Sequence, residues 1–230
     1  VDWSESEMPE KVIWKEGDVQ LREVGGEILS FTCIDDDYHD WQNEHRKAAL
    51  FLCDRVIRAD VDTAPGKKMN IFSFGKDNNY KTSQVRAWLQ KNSQNSSFCL
   101  EPIHTGIQTA YMGSTAAGAF SQTSGRELVR QDIGFQFMND QLFCLSLEEA
   151  LAYREYLWRF DSGDDNPQSQ ISTYSQGYYL RTPFYLQDEN GKFIYNQQIY
   201  GVDLVNGCLR PVRTDSETYG VRPAFALSQM

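Results

Sequence analysis

The chain has 230 residues, of which 40% are apolar and 23% are charged, as in ordinary globular proteins. This composition excludes disordered and fibrous classes, and the length allows a single domain with a sizeable core. The formal net charge of -10 argues against nucleic acid and anionic membrane as partners, because both require clustered Lys and Arg.

The N-terminal part begins with an acidic, polar segment. Residues 1–16 predict an arm, and residues 17–230 predict a single domain. Two alternating runs, at 19–24 and 27–34, flank Gly25-Gly26, which is typical of a tight β-hairpin. The apolar run at 48–57 predicts a buried strand, with a helix as the alternative.

The first helix is predicted after a Pro-Gly break. Thr82 or Ser83 can cap it, and the apolar Val85, Trp88 and Leu89 follow at helical spacing. The region beyond it, to about residue 132, has Gly, Ser or Thr every few positions. It predicts long loops with short pieces of structure.

The second helix has the clearest local signal in the chain. Ser146 and Glu149 have the spacing of a capping box, and the apolar positions that follow predict a helix to about Phe160. An apolar strand is predicted just before it, at 141–145, and an acidic turn just after it.

The C-terminal part reads as successive strands from Tyr174 onward. Asn206-Gly207 between two alternating runs is the strongest hairpin signal there. Strands at both ends with helices between them predict a mixed α+β domain.

Two C-terminal motifs carry a resemblance to a known family. Tyr179-Leu-Arg-Thr-Pro183 and Gly220-Val-Arg-Pro-Ala-Phe225, with shorter segments from residue 17 to 227, resemble an uncharacterised bacterial domain family. That family usually has Trp-Leu-Arg-Ser-Pro at the first motif. Such domains are similar to the C-type-lectin-like fold of formylglycine-generating enzymes. The resemblance implies an α+β, C-type-lectin-like mixed fold with antiparallel strands, two main helices and long loops.

The same branch includes the variable proteins of diversity-generating retroelements, whose C-terminal segment is hypermutated and binds ligands. Here seven of the twelve tyrosines lie in the last 57 residues, among Asn, Asp and Gln. Such side chains are typical of a binding face, although β-rich segments are Tyr-rich in any case. The predicted ligand-binding residues are Tyr185, Gln187, Asp188, Asn190, Tyr195, Asn196, Gln198, Tyr200, Asp203 and Asn206.

Metal and cysteine chemistry have weaker support. Clustered oxygens at Asp161, Asp164, Asp165 and Asn166 could hold Ca²⁺, but the spacing favours an acidic turn after a helix. His39 and His45 lie in an acidic stretch whose spacing matches no known metal site. We expect no cofactor.

The five cysteines are widely spaced and mostly lie in apolar runs, which indicates reduced core thiols. Formylglycine-generating enzymes use a pair of nearby cysteines, whereas the C-terminal half here holds Cys144 and Cys208 alone. Oxidase activity by that route is therefore disfavoured. Arg181 and Arg222 lie in strand-like runs, where Arg usually pairs with carboxylates or backbone carbonyls.

The sequence as a whole favours a non-catalytic module that binds a protein or glycan ligand through residues 184–206. The variable protein of a diversity-generating retroelement is one such module. A metal-dependent enzyme and a structural subunit of a phage or secretion assembly are the alternatives. No signal peptide or membrane span is predicted. We expect the protein in the cytoplasm or on a larger surface or phage assembly.

Overall fold

The computed structural model describes residues 13–39, 47–57, 62–64, 67–68, 73–93, 105–110, 112–113, 120–121, 135–160, 176–187, 190 and 193–229. Within these ranges the chain is mostly β, with two curled sheets and two short α-helices. The helices are α1 (Gln84–Asn92) and α2 (Leu147–Ala152). The strands are β1 (Val19–Val24), β2 (Glu27–His39), β3 (Lys47–Cys53), β4 (Asp62–Ala64), β5 (Lys67–Lys68), β6 (Thr105–Ala110), β7 (Met112–Gly113), β8 (Phe120–Ser121), β9 (Phe135–Asp140), β10 (Gly177–Gln187), β11 (Phe193–Asp203), β12 (Cys208–Arg213), β13 (Tyr219–Gly220) and β14 (Ala224–Ser228).

The predicted α+β, C-type-lectin-like fold with two main helices is wrong. One sheet has the order β1-β2-β3-β14, and the larger sheet has the order β13-β10-β11-β12-β8, with β7 paired to β10. Two isolated bridges, Ile57 to Val221 and Phe143 to Ala224, join the segments between strands to the last part of the chain. Long-range strand pairing therefore dominates the fold, and the two helices are a small part of it.

The N-terminal hairpin is confirmed. Val24 pairs with Glu27, and Gly25 and Gly26 have φ angles of 64° and 81°, which glycine adopts at little cost. The buried strand predicted after it is also confirmed, because β3 is buried from Ala48 to Cys53 and lies between β2 and β14. A strand covered on both faces has a continuous apolar sequence.

The first helix is confirmed as α1. The Ser83 hydroxyl accepts a hydrogen bond from the Arg86 amide at 3.0 Å, as a helix N-cap does. Val85 and Leu89 are buried in the core, and Trp88 lies half-buried against it. Arg86 also binds the buried Asp140 carboxylate through two nitrogens, which fixes α1 to the end of β9.

The second helix begins as predicted but is shorter. The Ser146 hydroxyl accepts from the Glu149 amide at 3.0 Å, and the Glu149 carboxylate accepts from the Ser146 amide at 2.9 Å, so the capping box is confirmed. The helix ends at Ala152 and is followed by a 3₁₀ turn, whereas the prediction extended it to Phe160. The strand predicted just before it is also wrong, since only Phe143 makes a bridge there.

Arg222 fixes the segment that follows α2. Its guanidinium is buried, stacks over the Phe160 ring at 4.3 Å and donates to backbone carbonyls of that segment. Cys53, on β3, supplies a further carbonyl, so one side chain connects three segments. The accepting carbonyls belong to Cys53, Tyr156, Leu157 and Arg159.

Arg181 has a similar structural role on β10. It donates to the Cys144 carbonyl at 2.7 Å and forms an ion pair with Glu149 of the capping box. Tyr38, on β2, donates its hydroxyl to the same carboxylate at 2.9 Å. The prediction that Arg181 and Arg222 are held by carboxylates or carbonyls inside the fold is confirmed.

The C-terminal hairpin joins β11 and β12. Asp203 pairs with Cys208, so the loop has four residues, Leu204 to Gly207, and Gly207 has a φ angle of 63°. The hairpin predicted at Asn206-Gly207 is thus confirmed. β10 runs antiparallel to β11, and the short β13 adds to β10 in parallel, which places Tyr219 beside Gly177.

Candidate functional site

An open groove of about 530 Å³ lies beside the hairpin of β11 and β12. Its volume falls in the range of about 300–1,000 Å³ typical of small-molecule sites. A second cavity, of about 370 Å³ beside Trp14 and Gln229, contains none of the predicted ligand-binding residues. We call the cavity of about 530 Å³ the hairpin groove. Its lining includes Gln198, Asp203, Asn206, Arg210, Arg213 and Tyr219.

The register of the strands brings these side chains together. Gln198 lies opposite Arg213, and Gly201 lies opposite Arg210, in the antiparallel pairing of β11 with β12. Paired residues share a face of a sheet. A Cβ atom at Gly201 would lie 3.0 Å from a Val212 side-chain carbon and 3.2 Å from the Tyr178 carbonyl oxygen, so the two strands are closely packed there. Strand pairing thus sets which residues of β11 and β12 are neighbours in the groove.

Asp203 holds the hairpin loop closed. One carboxylate oxygen accepts from the amides of Val205 and Asn206 at 3.0 Å each. The other accepts from the Asn206 side chain at 2.7 Å and from Arg210 at 3.3 Å. An ionised carboxylate has about four acceptor sites, and all of them are in use here. Asp203 is therefore a structural element of the groove.

Replacing Asp203 with alanine is expected to lower the free energy of unfolding by about 2 kcal/mol, because two amides and a guanidinium lose their acceptor. Urea denaturation followed by tryptophan fluorescence measures this. The control is Asp215→Ala, which removes the other carboxylate of the groove at a fully exposed position and should leave the midpoint unchanged. Equal midpoints for the two variants would contradict the role given to Asp203.

Arg213 and Asp215 form the second ion pair of the groove. Two nitrogens of Arg213 donate to the two carboxylate oxygens, each at 2.8 Å. The Arg213 hydrogen bonds lower the pKa of Asp215 below its ordinary value, so the carboxylate stays ionised at neutral and mildly acidic pH. The Arg213 side chain is 68% exposed, so the pair lies at the rim.

The floor of the groove is aromatic. Tyr219 is buried, and its ring lies 5.8 Å from that of Tyr179. Burial raises the pKa of Tyr219, and the nearby Asp203 raises it further, so the hydroxyl stays protonated at neutral pH. Tyr179 donates its hydroxyl to the Ser216 carbonyl at 2.6 Å. The floor is therefore held by hydrogen bonds as well as by ring contacts.

A buried asparagine fixes the end of the groove at Gln198. The Asn78 side-chain amide donates to the carbonyls of Phe184 and Gln198 at 3.1 Å each, and so bridges β10 and β11 where their pairing is irregular. The neighbouring Gln197 has a φ angle of 53°, which is uncommon outside glycine. Its side chain donates to the Lys76 carbonyl at 3.2 Å.

The hairpin groove contains three of the ten predicted ligand-binding residues, Gln198, Asp203 and Asn206. Asn206 is exposed, and Gln198 is half-buried. Tyr200 was expected to be exposed, but its ring is fully buried against Phe184, because it lies on the core face of β11. Burial raises its pKa to about 12.

Of the other six predicted residues, Asn190 is an exposed turn residue outside the lining of the groove. Four lie in the strands β10 and β11, and Asp188 lies outside the described residues. The four strand residues are Tyr185, Gln187, Tyr195 and Asn196.

Arg210 and Arg213 are groove residues that the sequence analysis missed. Counting outward from the predicted Asn206-Gly207 hairpin would have found them, since the pair Asp203 and Cys208 fixes every later pair of the two strands. Composition alone draws attention to Tyr and Asn. It gives no information about which residues lie opposite each other.

The predicted metal ligands lie mostly outside the described residues. This applies to the Ca²⁺ candidates at 161–166 and to His45. Among the described residues, no three His, Cys, Asp or Glu side chains are grouped as metal ligands. In that same part of the chain, Asp35 accepts hydrogen bonds from the Tyr153 hydroxyl and the Asp37 amide.

Four of the cysteines are buried free thiols, as predicted. Burial raises the pKa of Cys33 and Cys144 to about 12 and that of Cys53 to about 11. It also raises the pKa of Cys208. These thiols stay protonated at neutral pH, which makes them poor nucleophiles. Cys99 lies outside the described residues.

Comparison with known proteins gives a family but no activity. Neither α1 nor α2 has the length and apolar character needed to cross a membrane. No curated protein and no solved structure matches the chain. The chain does match a family described as a domain of unknown function, DUF6273, over residues 50–229. Since that match spans more than half of its length, the chain belongs to the DUF6273 family.

Proposed function

We propose that this domain is a non-catalytic module that binds a protein or glycan ligand in the hairpin groove. The proposal rests on the pairing of the charged side chains in the groove. Both of its carboxylates are held by arginines, while amide and hydroxyl side chains line the same concave surface. Concave sites with a few fixed polar groups are where proteins bind small ligands.

The hydrogen bonds of the groove support binding over catalysis. A general base or nucleophile needs an acceptor atom that can reach the substrate. Asp203 already uses all of its acceptor sites, and Asp215 is held by both donors of Arg213. Tyr219 keeps its proton because burial raises its pKa. These groups are suited to fixed recognition of a ligand.

The groove is also preorganised, which favours affinity. Its floor and sides are fixed by the Tyr179 hydrogen bond, the Asn78 bridge and the Asp203 network, whose partners all belong to the domain itself. A site that is rigid before binding loses little side-chain entropy when the ligand arrives. Val205, 53% exposed on the hairpin loop, gives the lining an accessible apolar contact.

The proposal is tested by screening the purified protein on printed arrays of oligosaccharides and of peptides, with affinities of retained probes measured by calorimetry. Val205→Trp should fill the groove and weaken binding by about tenfold or more, the effect of losing roughly 1.4 kcal/mol. Ile28→Trp is the matched control, because Ile28 is an exposed apolar residue of β2 that does not line the groove.

The control should bind its probe as the wild type does. Two results would reject the proposal. One is that neither array retains the protein. The other is that Val205→Trp binds the retained probes with unchanged affinity.

A further inference from the structure

We infer that the hairpin groove selects uncharged glycans over anionic ones and over peptides, an inference that rests on the proposed function. The groove contains two arginines and two aspartates, and each arginine is paired with one aspartate. The fixed charges of the lining therefore cancel. A ligand without charge can enter this surface while both ion pairs stay intact.

An anionic ligand that binds Arg213 in a bidentate arrangement would have to displace Asp215. Arg213 presents its guanidinium to Asp215 in a bidentate arrangement, with both hydrogen bonds at 2.8 Å. This geometry is the one an arginine uses to bind a ligand carboxylate or sulfate. Asp215 thus occupies the position that such a group would take. The net charge of -10 on the whole chain repels polyanions further.

A cationic ligand would meet carboxylates that already accept hydrogen bonds from the protein. Asp203 is buried, and its four acceptor sites are taken by the loop amides, Asn206 and Arg210. Asp215 is held by Arg213. Asp203 therefore offers no ready partner to an ammonium or guanidinium group of a ligand, and such a group would have to share Asp215 with Arg213.

Neutral polar side chains supply the remaining contacts. Gln176, Gln198 and Asn206 line the groove with amides, which both donate and accept, and Thr218 adds a hydroxyl. Sugar hydroxyls also donate and accept, so they match such a lining closely. The groove is open, and its volume of about 530 Å³ has room for a short oligosaccharide.

A peptide fits this surface less well. Peptide and protein ligands gain most of their affinity from aromatic or aliphatic anchors that enter apolar pockets. Among the described residues that line the groove, Val205 is the one large apolar side chain that is exposed. The Tyr219 ring, which forms the floor, is buried. The lining therefore favours a hydroxyl-rich ligand.

The test compares matched oligosaccharides that differ in charge. Neutral galacto- and gluco-oligosaccharides, and the corresponding uronic-acid oligosaccharides of equal length, are titrated by calorimetry into the wild type and into Asp215→Asn. The wild type should bind a neutral probe at least about tenfold more tightly than its anionic counterpart. Asp215→Asn releases Arg213 and should narrow that difference by about tenfold.

Arg213→Gln combined with Asp215→Asn is the control, since it removes the released cation and should restore the preference for neutral probes. A wild type that prefers the anionic probes, or that binds only peptides, overturns the inference and leaves the proposed function standing. A wild type that binds no oligosaccharide and no peptide overturns both. An unchanged preference in folded Asp215→Asn also overturns the inference.

Discussion

Replacing Arg222 with alanine is expected to lower the free energy of unfolding by roughly 3–5 kcal/mol, one of the two largest effects that we predict. The change leaves backbone carbonyls of two segments without their donor, and each such loss inside a protein costs about 1–3 kcal/mol. It also removes the cation stacked over Phe160. Denaturant unfolding followed by tryptophan fluorescence measures the loss. The carbonyls belong to Cys53, Tyr156, Leu157 and Arg159.

Two further variants make this result interpretable. Arg154→Ala removes an exposed arginine from the same stretch of chain and should change stability by less than about 0.5 kcal/mol. Arg222→Lys keeps the charge but cannot reach all the carbonyls, so its stability should lie between those of the wild type and Arg222→Ala. If Arg222→Ala unfolds at the same midpoint as Arg154→Ala, Arg222 does not hold these segments together.

Gly177→Ala is expected to have the second large effect, a loss of about 3 kcal/mol or more. A Cβ atom at Gly177 would lie 1.9 Å from the Val202 carbonyl oxygen and 2.8 Å from a ring carbon of Tyr219. Neither distance is possible for real atoms, so β10 and β11 must separate. Because Tyr219 forms the groove floor, the same variant should also bind ligand more weakly. Thermal and denaturant unfolding measure the first effect.

Gly75→Ala provides the matched control for this substitution. The nearest atoms to a Cβ there are 3.5 Å away, which is ordinary contact. Its stability should stay within about 1 kcal/mol of the wild type. A Gly177→Ala protein as stable as Gly75→Ala would show that the close approach of these strands does not limit the fold.

Local signals in the sequence were enough to predict several elements of the fold. Gly25-Gly26 specifies its hairpin because both residues take positive φ angles, and neighbouring residues supply the pairing. Ser146 and Glu149 specify the start of α2 because the capping box is made within four residues. Such features depend on the chain nearby, and so they can be predicted without knowledge of the fold.

Features decided by distant residues could not be predicted in this way. The apolar spacing after Ser146 suits a helix to Phe160, but the helix ends at Ala152, and Arg222, from far along the chain, binds the carbonyls of Tyr156 and Leu157 in the segment that follows. The apolar run before Ser146 is buried without strand pairing except at Phe143. Burial and strand formation give the same sequence pattern, so composition does not distinguish them.

The Tyr-rich C-terminal segment shows the same ambiguity. Tyr178, Tyr179, Tyr200 and Tyr219 are buried, and of these Tyr200 was predicted to bind ligand. Diversification by a retroelement stays a prediction, now without support from a C-type-lectin-like fold. A near-copy of the codons for residues 175–225, differing mainly at adenines, in the source genome would support it, and its absence would refute it.

The most direct test of the hairpin groove as a binding site is nuclear magnetic resonance of the ¹⁵N-labelled protein. The neutral oligosaccharides are added in turn while backbone and side-chain amide signals are followed. Binding in the groove predicts shifts for Gln176, Asn206, Arg213 and Thr218, with the amides of Leu21 and Ile28 on the other sheet unchanged. Shifts confined to the other sheet, or no shifts with any oligosaccharide or with peptides, would contradict the account.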